Sequence, residues 1–370
     1  MDYFKNYVSN TLAGTSNQLF FDDADAKGAP STCMSFYKAT VGGEFDYSIL
    51  FSNVVDSTYA QGLNGKPNMI LDDFDILSVK IGVLNKDAKA TPESVEELTD
   101  LYDVDVKKYT RDNGVTYFET EPLKLNANED DYIVIATEYV GTRIPCHVEA
   151  IIPGFRKTND GWVADKSIPF ANSVGIKRAV TARVAYLGDS ITQGIGVEEN
   201  NYSFWNAILS KKLGNDFSYW NLGIGYSRCR DAATDGAWLF KAKQADYVFV
   251  CLGVNDLLVD NADANTLSAN IETVVDKLNE AGCKVILQTI PPFSDYSDEN
   301  IKAWYEVNEY IKKELSKKVL AVFDQSDILM SDEKIPNKVL YGGHPNAIGC
   351  KLWGNALYEF LTENVKEFKK

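Results

Sequence analysis

Near residue 178 the spacing of apolar residues changes period, so no single type of fold accommodates both halves of the chain. Before that point, short runs at 45–51, 76–83, 116–119 and 132–136 alternate apolar with polar residues and are separated by Gly, Asn and Asp. Period-two alternation turns one face of each run to a core and the other to water, the pattern of antiparallel strands. It predicts an all-β sandwich or jelly-roll domain over residues 1–178, with one short helix at 92–98. After it, apolar runs at 184–187, 219–222, 247–252, 285–287 and 320–323 each precede a longer amphipathic stretch. Strands that are apolar on both faces, separated by helices, predict a flavodoxin-like three-layer α/β domain with a parallel sheet over residues 179–370. A length of 370 residues suits two domains, since one core rarely grows past ~250–300 residues.

Charge and composition exclude several classes. With 37 Lys and Arg against 53 Asp and Glu, the net charge of −16 repels phosphate backbones, so nucleic acid is not an expected partner. The run at 247–252 is among the longest apolar ones and falls far short of the ~20 residues a membrane helix needs, so no membrane partner is expected. The first seven residues lack the basic stretch and apolar core of a secretory signal, which points to a cytoplasmic protein; a chain trimmed of its signal would read the same. Six cysteines without a CxxC pair read as reduced structural thiols. With only His147 and His344 available, no histidine-rich zinc cluster can form, and neither a metal nor an organic cofactor is implied. His147, without companion ligands, reads as structural.

In a doubly wound sheet the active site lies at the carboxyl ends of the strands, and the polar motifs of the second half fall there. The first strand runs into Gly188-Asp189-Ser190-Ile191-Thr192, which places the Ser190 hydroxyl in a strand-to-helix loop. Taken alone, Asp189 and Ser190 serve equally well as a helix cap. The second strand ends in Asn221-Leu222-Gly223-Ile224-Gly225-Tyr226, whose glycines let backbone amides approach a ligand. The third ends in Gly253-Val254-Asn255-Asp256, and Tyr341-Gly342-Gly343-His344 precedes a closing helix over 347–360.

In this order the four segments resemble the blocks of the SGNH (GDSL-type) hydrolase superfamily over residues 184–360. The resemblance implies Ser190 as nucleophile and His344 as its base. It implies an oxyanion hole from the Ser190 N–H, the Asn255 side chain and an amide of the second block, with Gly223, Gly225 and Tyr226 as candidates. Asp189 and Asp256 read as loop supports beside the site. The sequence departs from the family pattern twice. The usual glycine of the second block falls on Tyr226, and the usual acid three residues before the histidine is Tyr341. Either a backbone carbonyl or a distant carboxylate orients His344, making a Ser-His dyad, or the enzyme is weakened. Phe51-Ser52-Asn53 and the strand after it look like the β domain preceding the hydrolase domain in some two-domain SGNH carbohydrate esterases. The expected activity is hydrolysis of short acyl esters, acetyl above all, with a small-molecule or oligosaccharide ester as substrate. The alternatives are a lysophospholipase, thioesterase or general short-chain esterase, or an impaired homologue that only binds carbohydrate.

Overall fold

The computed structural model describes residues 3–22, 28–57, 66–170 and 173–369. Its chain divides into two compact units, Met1–Val180 with Ser218–Trp220, and Thr181–Phe217 with Asn221–Lys370.

The first unit is built on two six-stranded sheets. One centres on Gly43–Ser52, which pairs antiparallel with Thr116–Thr120, Leu123–Ala127 and Ser173–Ile176. The other centres on Tyr132–Gly141, flanked antiparallel by Ser31–Lys38 and Phe74–Leu84. Alternation along these strands sends aromatic rings inward. Phe51 from the first sheet and Phe74 and Tyr139 from the second meet on the ring of Phe170, with centroids 6.3, 5.1 and 5.2 Å away. Phe74 also meets Phe118 of the first sheet at 5.9 Å. The short helix is Pro92–Glu96, stopping two residues before the expected end. Thr91 and Ser94 form a reciprocal capping box at its start, with proline in the first turn, where its missing N–H costs nothing. Asn53 is a bracket between strands: its side chain accepts from the Thr116 N–H at 2.8 Å and donates to Asp72 at 3.1 Å.

A five-stranded sheet, which apart from residues 218–220 falls in the second unit, has the strands β1 (Ala182–Gly188), β2 (Phe217–Asn221), β3 (Tyr247–Cys251), β4 (Lys284–Gln288) and β5 (Ala321–Phe323), in the order β2-β1-β3-β4-β5. β1 pairs with β3, β3 with β4 and β4 with β5, all in parallel. This is the flavodoxin-like order, and its switch point lies between β1 and β3, where the connections leave in opposite directions and open a crevice. The helices that matter for the site are α1 (Ser190–Gln193), α2 (Trp205–Leu213), α3 (Cys229–Ala233), α4 (Val254–Leu258) and α5 (Ala347–Asn364). Two tryptophans fix α2 against α5: Trp205 and Trp353 stack with centroids 5.0 Å apart and planes 11° from parallel. Trp353 also donates its indole N–H to Gln288 Oε1 at 2.9 Å, which ties α5 to the end of β4. Among the described residues, no helix is long and apolar enough to cross a membrane. All six cysteines are buried thiols.

Candidate active site

Ser190 owes its position to Gly188. A Cβ at residue 188 would lie 2.0 Å from Thr192 Oγ1 and 2.7 Å from the Cys251 carbonyl, so only glycine lets β1 turn this tightly into α1. Asp189 then caps α1, its Oδ1 accepting the Ile191 N–H at 3.0 Å. The cap and the site are therefore one structure. Ser190 opens the helix half-buried, and its N–H is among the first-turn amides that have no acceptor inside a helix.

His344 arrives from the other end of the unit. Asn346, two residues later, caps α5 by accepting the N–H groups of Ile348 and Gly349 at 3.0 and 3.1 Å. With α5 held by its tryptophan contacts, the imidazole is delivered to the serine: Ser190 Oγ lies 2.8 Å from His344 Nε2. A hydroxyl at that distance can pass its proton to the imidazole as its oxygen attacks a carbonyl.

Asn255 stands in the first turn of α4, just past the end of β3. Gly188 and Cys251 are register partners in the sheet, so the loops after β1 and β3 leave side by side. Asn255 donates one Nδ2 hydrogen to the Ser227 carbonyl at 3.0 Å, and the Ser227 hydroxyl donates to the Gly188 carbonyl at 3.1 Å. This chain of bonds fixes the amide plane and leaves its second hydrogen for a ligand.

The second block requires a correction. The Gly223 N–H donates to Asn221 Oδ1 at 2.9 Å and the Gly225 N–H to Gln193 Oε1 at 2.7 Å. Asn221 and Gln193 are fully buried and their side-chain oxygens need donors, so these two amides hold the loop and are not offered to a substrate. Tyr226 remains as the backbone candidate. It is exposed and has φ +61°, the left-handed region where glycine is at ease and a tyrosine costs about 1–2 kcal/mol.

The supporting residues fall into two kinds. Asp256 is buried and accepts the N–H groups of Cys229 and Arg230 at 2.9 and 3.4 Å, fixing the start of α3. Asp189 and Asp256 are both pushed up to about 7, by burial first, with the nearby Asp256 charge contributing to the rise at Asp189 and the Asp231 charge to that at Asp256. Tyr341 is not part of the hydrogen-bond chain: its ring packs on Gly349 in the first turn of α5, and its hydroxyl makes no hydrogen bond among the described residues. His147 lies in the β unit, buried, with Nδ1 2.7 Å from the Ser16 carbonyl. Sequence reasoning did not find Asn221, Gln193 or Ser227, which organise the second block. Asn221 carried the available signal, a polar amide closing an apolar strand.

Residues 186–352 match the model of the GDSL-like Lipase/Acylhydrolase family. The chain carries a GDSL-like acylhydrolase domain. The match spans Ser190, Asn255 and His344. Among solved structures, the chain is similar to a member of the lipolytic G-D-S-L family from Veillonella parvula, at 20% identity over 49% of this chain and 98% of that one, with TM-score 0.40. It is also similar to a psychrotrophic esterase from a Pseudoalteromonas species, at 18% identity over 49% and 97% with TM-score 0.38. A carbohydrate acetylesterase from Sinorhizobium meliloti is similar at 17% identity over 49% and 98%, with TM-score 0.40. No curated protein matches the chain. All the residues of the candidate site belong to the second unit, which holds the GDSL-like domain.

Proposed function

We propose that the protein is a serine esterase that removes short acyl groups, acetyl first among them, from carbohydrate esters. The observation that carries this reading is the 2.8 Å contact between Ser190 Oγ and His344 Nε2 at the carboxyl end of β1, inside the GDSL-like domain. In this reading His344 takes the Ser190 proton as Oγ attacks the ester carbonyl carbon. The negative charge that develops on the carbonyl oxygen is met by the Ser190 N–H, the second Nδ2 hydrogen of Asn255 and the Tyr226 N–H. When the tetrahedral intermediate collapses, His344 returns the proton to the leaving alcohol and the acyl group stays on Ser190. Water, deprotonated by His344, then releases the acid. A dyad suffices in this scheme, consistent with a Tyr341 that does not bond the imidazole and with the SGNH carbohydrate esterases that work without the acid.

A longer-chain esterase is the second reading, favoured by Leu340 and Ile348, exposed apolar residues four positions on either side of His344. A panel of 4-nitrophenyl esters from acetyl to decanoyl, run beside acetylated xylo- and manno-oligosaccharides, separates the two. The proposal expects kcat/KM to fall steeply beyond about four acyl carbons and expects acetate release from the sugars. Faster turnover of decanoyl than of acetyl esters moves the protein to the second reading. No turnover of any ester overturns both.

A further inference from the structure

Phe293 lies nine residues past the start of β4, in a loop with no polar motif to draw attention to it. The loop is pinned from several sides. The Phe293 N–H donates to the Pro336 carbonyl at 3.0 Å, and the Trp304 indole N–H reaches the carbonyls of Ile290 and Pro291 at 2.8 and 3.2 Å. The Tyr296 hydroxyl donates to the Pro291 carbonyl at 3.0 Å, and its ring stands 6.1 Å from that of Phe293. A phenyl ring held this firmly and 8% exposed has one place to be. That place is against the imidazole: the Phe293 and His344 centroids are 5.3 Å apart and their planes cross at 81°. The residue before the histidine has given way to it, since a Cβ on Gly343 would sit 2.9–3.0 Å from three carbons of the ring.

We propose that Phe293 is a positioning residue for His344, a pinned aromatic wall that fixes the plane in which the imidazole presents Nε2 to Ser190. The assignment rests on the Ser190–His344 reading above. A histidine side chain has two rotatable bonds, and only a narrow part of their range keeps Nε2 within hydrogen-bond reach of the serine. Steric contact with the Phe293 ring restricts the imidazole by shape. Such a wall acts on the fraction of histidines ready to take the proton, so it changes turnover and leaves substrate affinity alone.

The test compares the wild-type chain with Phe293→Leu, Phe293→Tyr, Gly343→Ala and the Phe293→Leu/Gly343→Ala double variant. The readouts are kcat and KM on 4-nitrophenyl acetate, the rate of inactivation by an aryl phosphonate, and the thermal midpoint. Phe293→Leu should lower kcat and the inactivation rate about tenfold with KM within twofold, and Phe293→Tyr, which restores a ring, should stay within threefold of wild type. Gly343→Ala should lose a similar factor because its methyl group and the ring compete for one space. In the double variant leucine frees that space, so its loss should be smaller than the product of the single losses. The inference is overturned by a folded Phe293→Leu within twofold of wild type in both rates, by a loss confined to KM, or by Phe293→Tyr losing as much as leucine. If Phe293→Leu does not fold, full activity in Gly343→Ala overturns it and a tenfold kcat loss there supports it. Failure of the wild-type chain to react with the phosphonate would instead overturn the esterase reading beneath it.

Discussion

Asn255→Ala separates an oxyanion donor from a substrate-binding residue. The side chain has two Nδ2 hydrogens; one is committed to the Ser227 carbonyl at 3.0 Å, and the other is the proposed donor to the transition state. Removing one preorganised oxyanion donor costs about 2.7–4 kcal/mol of transition-state stabilisation. At 1.36 kcal/mol per decade, that corresponds to a loss of about 10²–10³ in kcat. KM should move little, because the ester carbonyl of the bound substrate carries far less charge than the oxyanion. The substitution also leaves the Ser227 carbonyl without a donor in a buried setting, a stability cost of about 1–3 kcal/mol, so the variant should melt several degrees lower. Steady-state kinetics well below that midpoint keep the two effects apart. A rise in KM with kcat unchanged would refute the reasoning and make Asn255 a residue that binds the ground state.

Tyr341→Phe should lower turnover less than tenfold, since the phenol is outside the hydrogen-bond chain, whereas His344→Ala should cost at least ~10³. Tyr341→Asp should bring no gain, because the new carboxylate would have to be desolvated beside Gly349, where the ring now packs; a large gain would mean that the natural chain is an impaired triad. Buried Asp189 and Asp256 titrate near 7 in the folded state and near the usual carboxylate value when unfolded, so between about pH 4 and 7 the native chain binds more protons than the unfolded one. Their contribution to stability is thus complete below pH 4 and lost as pH rises through 7. The urea midpoint of Asp189→Asn should therefore fall less between pH 5 and 8 than that of wild type, and an identical pH dependence in the two would count against the burial argument.

How far the sequence led can be judged residue by residue. Gly188-Asp189-Ser190 and Gly253-Val254-Asn255 were legible because each closes a buried strand, where polar residues need a reason and the fold rule places the ligand crevice. The five runs read as strands became β1 to β5 within about two residues, since strands apolar on both faces leave little ambiguity. Gly223 and Gly225 were misjudged for a reason that spacing cannot show. Whether a backbone amide is free depends on partners such as Gln193, which lies 32 residues from Gly225. Phe293 gave no signal because one aromatic in a loop reads as ordinary core. The 92–98 helix was foreseeable from its proline and Thr91, but its end was not, since helix C-termini lack a comparably strict requirement when no glycine follows.

The most direct test of the account is the site of covalent modification. An aryl phosphonate that mimics an ester should react with one serine, and mass spectrometry of the digested protein should find one adduct per chain, on Ser190. Ser190→Ala should take up no label and hydrolyse no ester while keeping its thermal midpoint, and His344→Ala should be labelled at least ~10² times more slowly because its serine has lost its base. Label on another residue, or undiminished ester hydrolysis by folded Ser190→Ala, would contradict the account.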